Sequence, residues 1–234
     1  MALLGTLING ACIILGTILG LFFTKIPERY KDTIMHGIGL AVLLIGFQMA
    51  FGTNNIVIVL LSLLSGAIIG EMLRLEDRLN SLGAWLDKKF STEKQGNISQ
   101  GFITSTLIFA IGAMAIIGAL DSGLTGDHEV LVTKSILDGF TSLVLTTTLG
   151  FGVIFSVVPV VLYQGTIALL ATQIVAWIPE SFMDVFIVEM TATGGLLIVA
   201  IGLNILKLTS IRVANLLPSL ITVAIIIYVY QIIA

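Results

Sequence analysis

The sequence predicts an all-α polytopic membrane protein with about eight transmembrane helices. Three observations predict it: the composition, the length of the apolar stretches and the placement of the basic residues. Of 234 residues, 57% are hydrophobic and 11% charged, whereas a soluble domain carries roughly 25% charged residues. Eleven basic and 14 acidic side chains are too few to cover a soluble protein of this size. The 24 glycines agree, because Gly is more frequent in membrane helices than in soluble ones. A soluble catalytic domain, a nucleic-acid binder and a disordered chain are thereby excluded.

A bilayer core takes about 20 apolar residues per helix. Spans are expected near 3–23, 33–51, 55–69, 98–120, 130–149, 152–178, 183–206 and 213–233. No Lys or Arg precedes the first stretch, so it reads as a span rather than a cleavable signal peptide. Asn9 stands where a lipoprotein signal wants an aliphatic residue, and Cys12, the one cysteine, excludes an internal disulfide. With eight spans, one face receives Lys25, Arg29, Lys31, Arg74, Arg78, Lys88, Lys89, Lys94, Lys207 and Arg212, ten of the eleven basic residues. The other face receives Asp121, Asp127, Glu129 and Glu180. The positive-inside rule then puts both termini outside the cytoplasm. A seven-span reading moves Lys207 and Arg212 to the opposite face, which favours eight.

Between the third and fourth spans, Met72, Leu75, Leu79, Leu82, Leu86 and Phe90 recur at three- and four-residue steps. This pattern predicts an amphipathic helix over 70–90, on the cytoplasmic membrane surface or against a partner. A polar loop over 91–97 follows.

The two ends of the chain resemble each other. Ile26-Pro27-Glu28-Arg29-Tyr30-Lys31-Asp32 returns as Ile178-Pro179-Glu180-Ser181-Phe182-Met183-Asp184. Gly39-Leu40 and Ile45-Gly46 return as Gly195-Leu196 and Ile201-Gly202, and Thr53, Val57, Leu60, Leu61 and Leu64 as Thr209, Val213, Leu216, Leu217 and Leu220. Spans 1–3 therefore correspond to spans 6–8, and the odd separation makes the two units inverted. Within one membrane domain, 3–69 is repeat unit A, 70–97 the amphipathic helix and loop, 98–149 two central spans and 150–234 repeat unit B. Inverted repeats are the usual build of secondary transporters.

Polar groups at membrane depth are functional-site candidates by default. Lys134 and Asp138 lie four apart on one helix face, with Asp138 roughly 12 Å in from the external end. They read as an ion, proton or polar-solute site, or as a neutralised structural pair. Pro159 with Tyr163-Gln164-Gly165 reads as a helix break or a simple kink, and Thr191-Ala192-Thr193-Gly194-Gly195 after Glu189 as a break or a close-packing surface. Gln48 and Asn204 occupy equivalent positions of the repeat and read either as an amide pair around a central solute or as groups that hold helices together. Asn9 and Asn215 are further polar groups that need partners. The substrate- or ion-binding candidates are thus Asp138, Lys134, Gln164, Gln48, Asn204, Asn9, Glu189, Thr191 and Thr193. No zinc motif or phosphate loop is present, so the chain is not expected to be an enzyme, nor to hold a metal or cofactor.

Several segments are quite specific together: Gly5-Thr6-Leu7-Ile8-Asn9, Gly112-Ala113-Met114-Ala115-Ile116, Gly126-Asp127-His128, Lys134-Ser135-Ile136-Leu137-Asp138-Gly139, Tyr163-Gln164-Gly165 and Ala214-Asn215-Leu216-Leu217-Pro218. In these the sequence resembles the YdfK/YqgA-like bacterial multi-pass membrane proteins, a domain of unknown function. The resemblance implies a bacterial inner-membrane location. It implies no substrate and no site residues.

The expected function is a transporter or channel for a small solute or ion, built as 3+2+3 spans and present as a homodimer in the lipid bilayer. The alternative is a non-transporting scaffold docking through the 70–90 helix. In that alternative, charging Leu79 and Leu82 abolishes co-purification of a partner; unchanged co-purification removes the helix as the docking surface.

Overall fold

The computed structural model describes residues 1–22, 28–90 and 98–233. Lys25, Ile26 and Pro27 of the repeated linker, and the 91–97 loop with Lys94, lie outside the described residues. So do the side chains of Glu28, Arg29, Lys31, Asp32, Leu82, Leu86, Lys89 and Phe90.

Among the described residues the ordered elements are all helical: α1 (Leu4–Phe22), α2 (Glu28–Ala50), α3 (Ile56–Leu73), α4 (Leu75–Phe90), α5 (Ile98–Ala110), α6 (Ala113–Leu124), α7 (Glu129–Leu149), a 3₁₀ segment (Gly150–Ser156), α8 (Val157–Leu169), α9 (Ala171–Trp177), α10 (Glu180–Ile205), α11 (Val213–Leu216) and α12 (Ser219–Ile233). By length and apolarity, six helical runs can cross a membrane, or seven if the bent pair α5 and α6 counts as one span. Large apolar side chains such as Leu44, Leu60, Ile68, Phe140, Leu162 and Ile221 are exposed, while Asn9, Ser135, Gln164, Glu189 and Thr193 are buried. That reversal of the soluble pattern suits a hydrocarbon surround. Several buried hydroxyls bond back to their own helix, such as Ser62 to the Ile58 carbonyl and Ser135 to the Leu131 carbonyl, both at 2.6 Å, and these cost little at membrane depth.

The chain packs as two compact units, Met1–Ile34 with Ser81–Trp177, and Met35–Asn80 with Ile178–Ala234. In the first unit α1 and α7 run in the same direction. Gly5 lies against Leu131, Gly16 against Gly139 and Ser142, and Gly20 against Leu143 and Thr146. Along the same α1, α8 runs the other way, with Val157 and Val161 at Gly10, and Gly165 beside Leu3 and Thr6. The helical run Glu129–Leu169, 41 residues long, therefore folds back on itself and carries both the fifth and the sixth expected spans. The reversal follows Gly150, whose φ of 73° is readily adopted only without a Cβ.

In the second unit α10 runs against α2. Gly39 meets Leu206, Gly202 meets Leu43, Gly46 meets Val199, and Gly195 meets Ala50 and Met49. α3 packs on α11 and α12 through Gly70 against Asn215 and Gly66 against Ser219. The Thr222 hydroxyl donates across to the Ser62 carbonyl at 3.0 Å.

Three expected details are corrected. The Thr191–Gly195 stretch does not interrupt its span, since α10 is continuous over Glu180–Ile205; Gly194 and Gly195 are buried there, and Gly195 serves close packing. The interruption near Pro159 precedes it, at Gly150–Ser156, and Pro159 sits in the first turn of α8, where its missing N–H is least costly. The amphipathic helix begins at Leu75, because Arg74 takes the left-handed conformation (φ 49°) and closes α3. One break was not expected: α5 and α6 bend by 62° at Gly112, whose φ is 143°.

A methyl group at Gly70 would stand 1.9 Å from the Asn215 carbonyl oxygen, whereas at Gly37 nothing lies within 4 Å. Gly70→Ala is expected to destabilise by about 1–3 kcal/mol and Gly37→Ala to be neutral or stabilising by up to about 1 kcal/mol. Thermal melts of the purified protein in detergent check the contrast.

Candidate functional site

The first unit gathers four of the predicted site residues. α1 contributes Asn9, α7 contributes Lys134 and Asp138, and α8 contributes Gln164. The close α1/α7 contact at Gly5, Gly16 and Gly20 leaves Asn9 beside Asp138: Gly139, the next residue, lies against Cys12, one turn along α1 from Asn9. Lys134 and Asp138, 6% and 7% exposed, form an ion pair four residues apart on α7. Asn9 lies beside the Asp138 carboxyl as well. Its Nδ2 donates to Gln164 Oε1 at 3.2 Å. Asn9 and Gln164 are both fully buried.

The cluster is not saturated. Asn9 Oδ1, Gln164 Nε2 and the Thr6 hydroxyl are buried with no hydrogen-bond partner in the protein. Thr6 was missed by sequence reasoning. Its signal was there, since it lies three residues before Asn9 and so on the same helical face.

The site also lies at the depth where two spans are interrupted. Gly118 touches Leu131. From that level Gly112 is roughly 9 Å along α6 and Asp138 roughly 10 Å along α7. On the other side, α8 begins at Val157, level with Gly10 of α1. Irregular backbone at membrane depth is tolerated only where protein or a water-lined cavity satisfies it. Gly112 has no side-chain cap at the start of α6.

The remaining candidates lie in the second unit, where Glu189, Thr193 and Asn204 have partners. Glu189, 1% exposed, accepts the Thr53 hydroxyl at 2.6 Å and the backbone N–H groups of Asn54 and Asn55, each at 2.9 Å. It therefore clamps the turn that starts α3, where Asn55 also caps Val57 N–H. Thr193 donates back to the Glu189 carbonyl at 2.8 Å, and the Thr191 hydroxyl is buried without a partner. Asn204 closes the loop after α10: its Nδ2 donates to the Ile211 carbonyl, and its Oδ1 accepts Ile211 N–H and the Thr209 hydroxyl. Gln48 is exposed on α2. Gln48 and Asn204 are thus not presented as a matched pair, because one side chain is spent on a loop.

A second polar network was only partly foreseen, through Asn215. Its Oδ1 accepts Glu76 N–H at 2.8 Å and its Nδ2 donates to Glu71. Arg212 donates to the other Glu71 oxygen at 2.8 Å, and Ala214 N–H donates to Glu76 at 3.0 Å. This network fixes the α3–α4 junction. Near the end of α6, Ser122 donates to the Ala2 carbonyl at 2.8 Å and stands 2.7 Å from His128 Nδ1.

Residues 4–228 match the family described as "Protein of unknown function (DUF554)". The chain belongs to that family. Among relatives, YdfK of Bacillus subtilis (strain 168), described as an uncharacterized membrane protein, is 34% identical over 230 residues, 96% of each chain. YqgA of Escherichia coli (strain K12) is 33% identical over 222 residues, 93% of each chain. No solved structure matches. The membership agrees with the resemblance read from the sequence, and this family member is a multi-pass membrane protein.

Removing one partner of a buried ion pair costs about 3–5 kcal/mol, while replacing both by apolar groups is often neutral. Lys134→Met is therefore expected to be strongly destabilising, and Lys134→Met combined with Asp138→Leu to recover most of the loss. Melting temperatures of the two variants measure the coupling.

Proposed function

We propose that the protein moves a small solute or ion across the bacterial inner membrane, with Asp138 as the leading site residue. The observation that carries this reading is the unsaturated polar cluster of Asn9, Lys134, Asp138 and Gln164, buried among three helices at the depth where two spans are broken. Buried polar atoms without partners are costly, and a protein retains them in hydrocarbon for use rather than for stability. Helices interrupted at mid-depth are where transporters bind their substrates.

Alternating access through an inverted repeat is part of the proposal. It is supported by the repeated linker and by the contacts of α2 with α10. The glycines at which those two helices touch are repeat-equivalent, Gly39 with Gly195 and Gly46 with Gly202, and each meets the opposite helix. The basic residues support an orientation with both termini outside the cytoplasm. We place the protein in the membrane as a homodimer. The scaffold reading retains one observation in its favour, the exposed Trp85 on α4.

The test is flux in proteoliposomes across a panel of ions and small metabolites, with the wild type and Asp138→Asn. The expected result is flux of at least one solute that Asp138→Asn reduces to the protein-free level per molecule of folded, reconstituted protein, its melting temperature being lowered by the unpaired Lys134. Retained flux in the variant removes Asp138 from the site.

A further inference from the structure

The charge and hydrogen-bonding inventory of the cluster narrows the solute. We infer that the site takes an uncharged solute bearing an amide-type edge, a carbonyl acceptor beside an N–H donor. This inference rests on the transport reading and adds the chemical class.

The first argument is charge. Lys134 and Asp138 are each more than nine-tenths buried and paired with each other. Each neutralises the other, so the cluster offers no free counter-charge. An ion entering beside them would lose its hydration with no opposite charge to offset the loss. An uncharged solute avoids that cost.

The second argument is the pairing of the amides. Two side-chain amides can join through two N–H···O bonds, and Asn9 and Gln164 make only one, from Asn9 Nδ2 to Gln164 Oε1. The amino end of Asn9 is the one spent on Gln164, and beside it lies the Asp138 carboxylate, which only accepts. What remains is one acceptor, Asn9 Oδ1, and one donor group, Gln164 Nε2, both buried and without partners. A solute that donates to the first and accepts from the second completes the set. Reversing both amides leaves one donor and one acceptor again. The unpartnered Thr6 hydroxyl, on the same face of α1 and beside Gly165 of α8, supplies a third contact that works in either sense.

Osmotic-shock light scattering on proteoliposomes tests this, with acetamide and urea as probes and sodium chloride and sodium formate as ionic controls. Membrane current is recorded in parallel. Vesicles holding the wild type are expected to re-swell after an acetamide or urea shock well ahead of protein-free vesicles, with no current. Gln164→Met is expected to abolish the gain. Thr6→Val, which has the same shape and breaks no bond within the protein, is expected to reduce it about fivefold, and it serves if Gln164→Met fails to fold. Ion flux or current without amide entry overturns the inference and leaves the transport reading standing. Faster shrinkage without re-swelling, meaning water passage only, overturns it too, as does an unchanged rate in Thr6→Val. Absence of any flux, of solute or ion, defeats both readings.

Discussion

Helices meeting inside hydrocarbon gain little from burying apolar side chains, because the lipid is equally apolar. What holds them is close van der Waals approach, and close approach demands small residues where backbones cross. That constraint organises this protein. On α1, Gly5, Gly16 and Gly20 let the backbone settle onto α7, and the residues between them are carried into fixed register. Asn9 lies beside Asp138 because its glycine neighbours on either side are already seated. Replacing glycine contacts by larger side chains would separate the helices and the polar atoms together, so packing and site are one feature in the first unit. The second unit obeys the same rule through Gly66 and Gly70 on α3 and through the glycines of α2 and α10.

The helical membrane architecture was legible because it depends on composition and stretch length, which local sequence carries directly. Among the described residues, six helical runs, or seven with the bent pair, can cross a membrane, against the eight spans expected. Breaks were less legible. Gly194-Gly195 looked like an interruption and is a packing surface within a continuous α10. Gly112, read as an ordinary span residue, is the sharper break. A glycine allows both close approach and unusual backbone angles, and sequence does not say which property a given position uses. That is decided by the neighbouring helix, which lies far off in the chain.

The site was half legible for a similar reason. Lys134 and Asp138 sit on one helix four residues apart, so their pairing is local and periodicity finds it. The Asn9–Gln164 bond spans 155 residues and depends on α8 reversing along α1, which no local pattern encodes. Glu189 was flagged for being charged at membrane depth, and its partners in the turn before α3 turn that flag into a structural clamp. Asn204 was flagged by the repeat and closes a loop. A polar side chain in a span announces that it needs a partner; it does not announce whether the partner is the protein's own backbone or something brought from outside.

The 3₁₀ segment before α8 has a mechanical consequence. A 3₁₀-helix rises about 2.0 Å per residue and an α-helix about 1.5 Å, and 3₁₀ runs beyond three or four residues are uncommon because their hydrogen bonds are poorly aligned. Gly150–Ser156 holds that stretched form for seven residues. Relaxing it to α would shorten the segment by roughly 3.5 Å, more than the length of a hydrogen bond. With α7 held against α1, the slack would be taken up by axial travel of α8, carrying Gln164 along the α1 surface. The segment would then act as a length reserve in series with Gln164, and its conversion between two helix types would be a stroke of atomic dimensions.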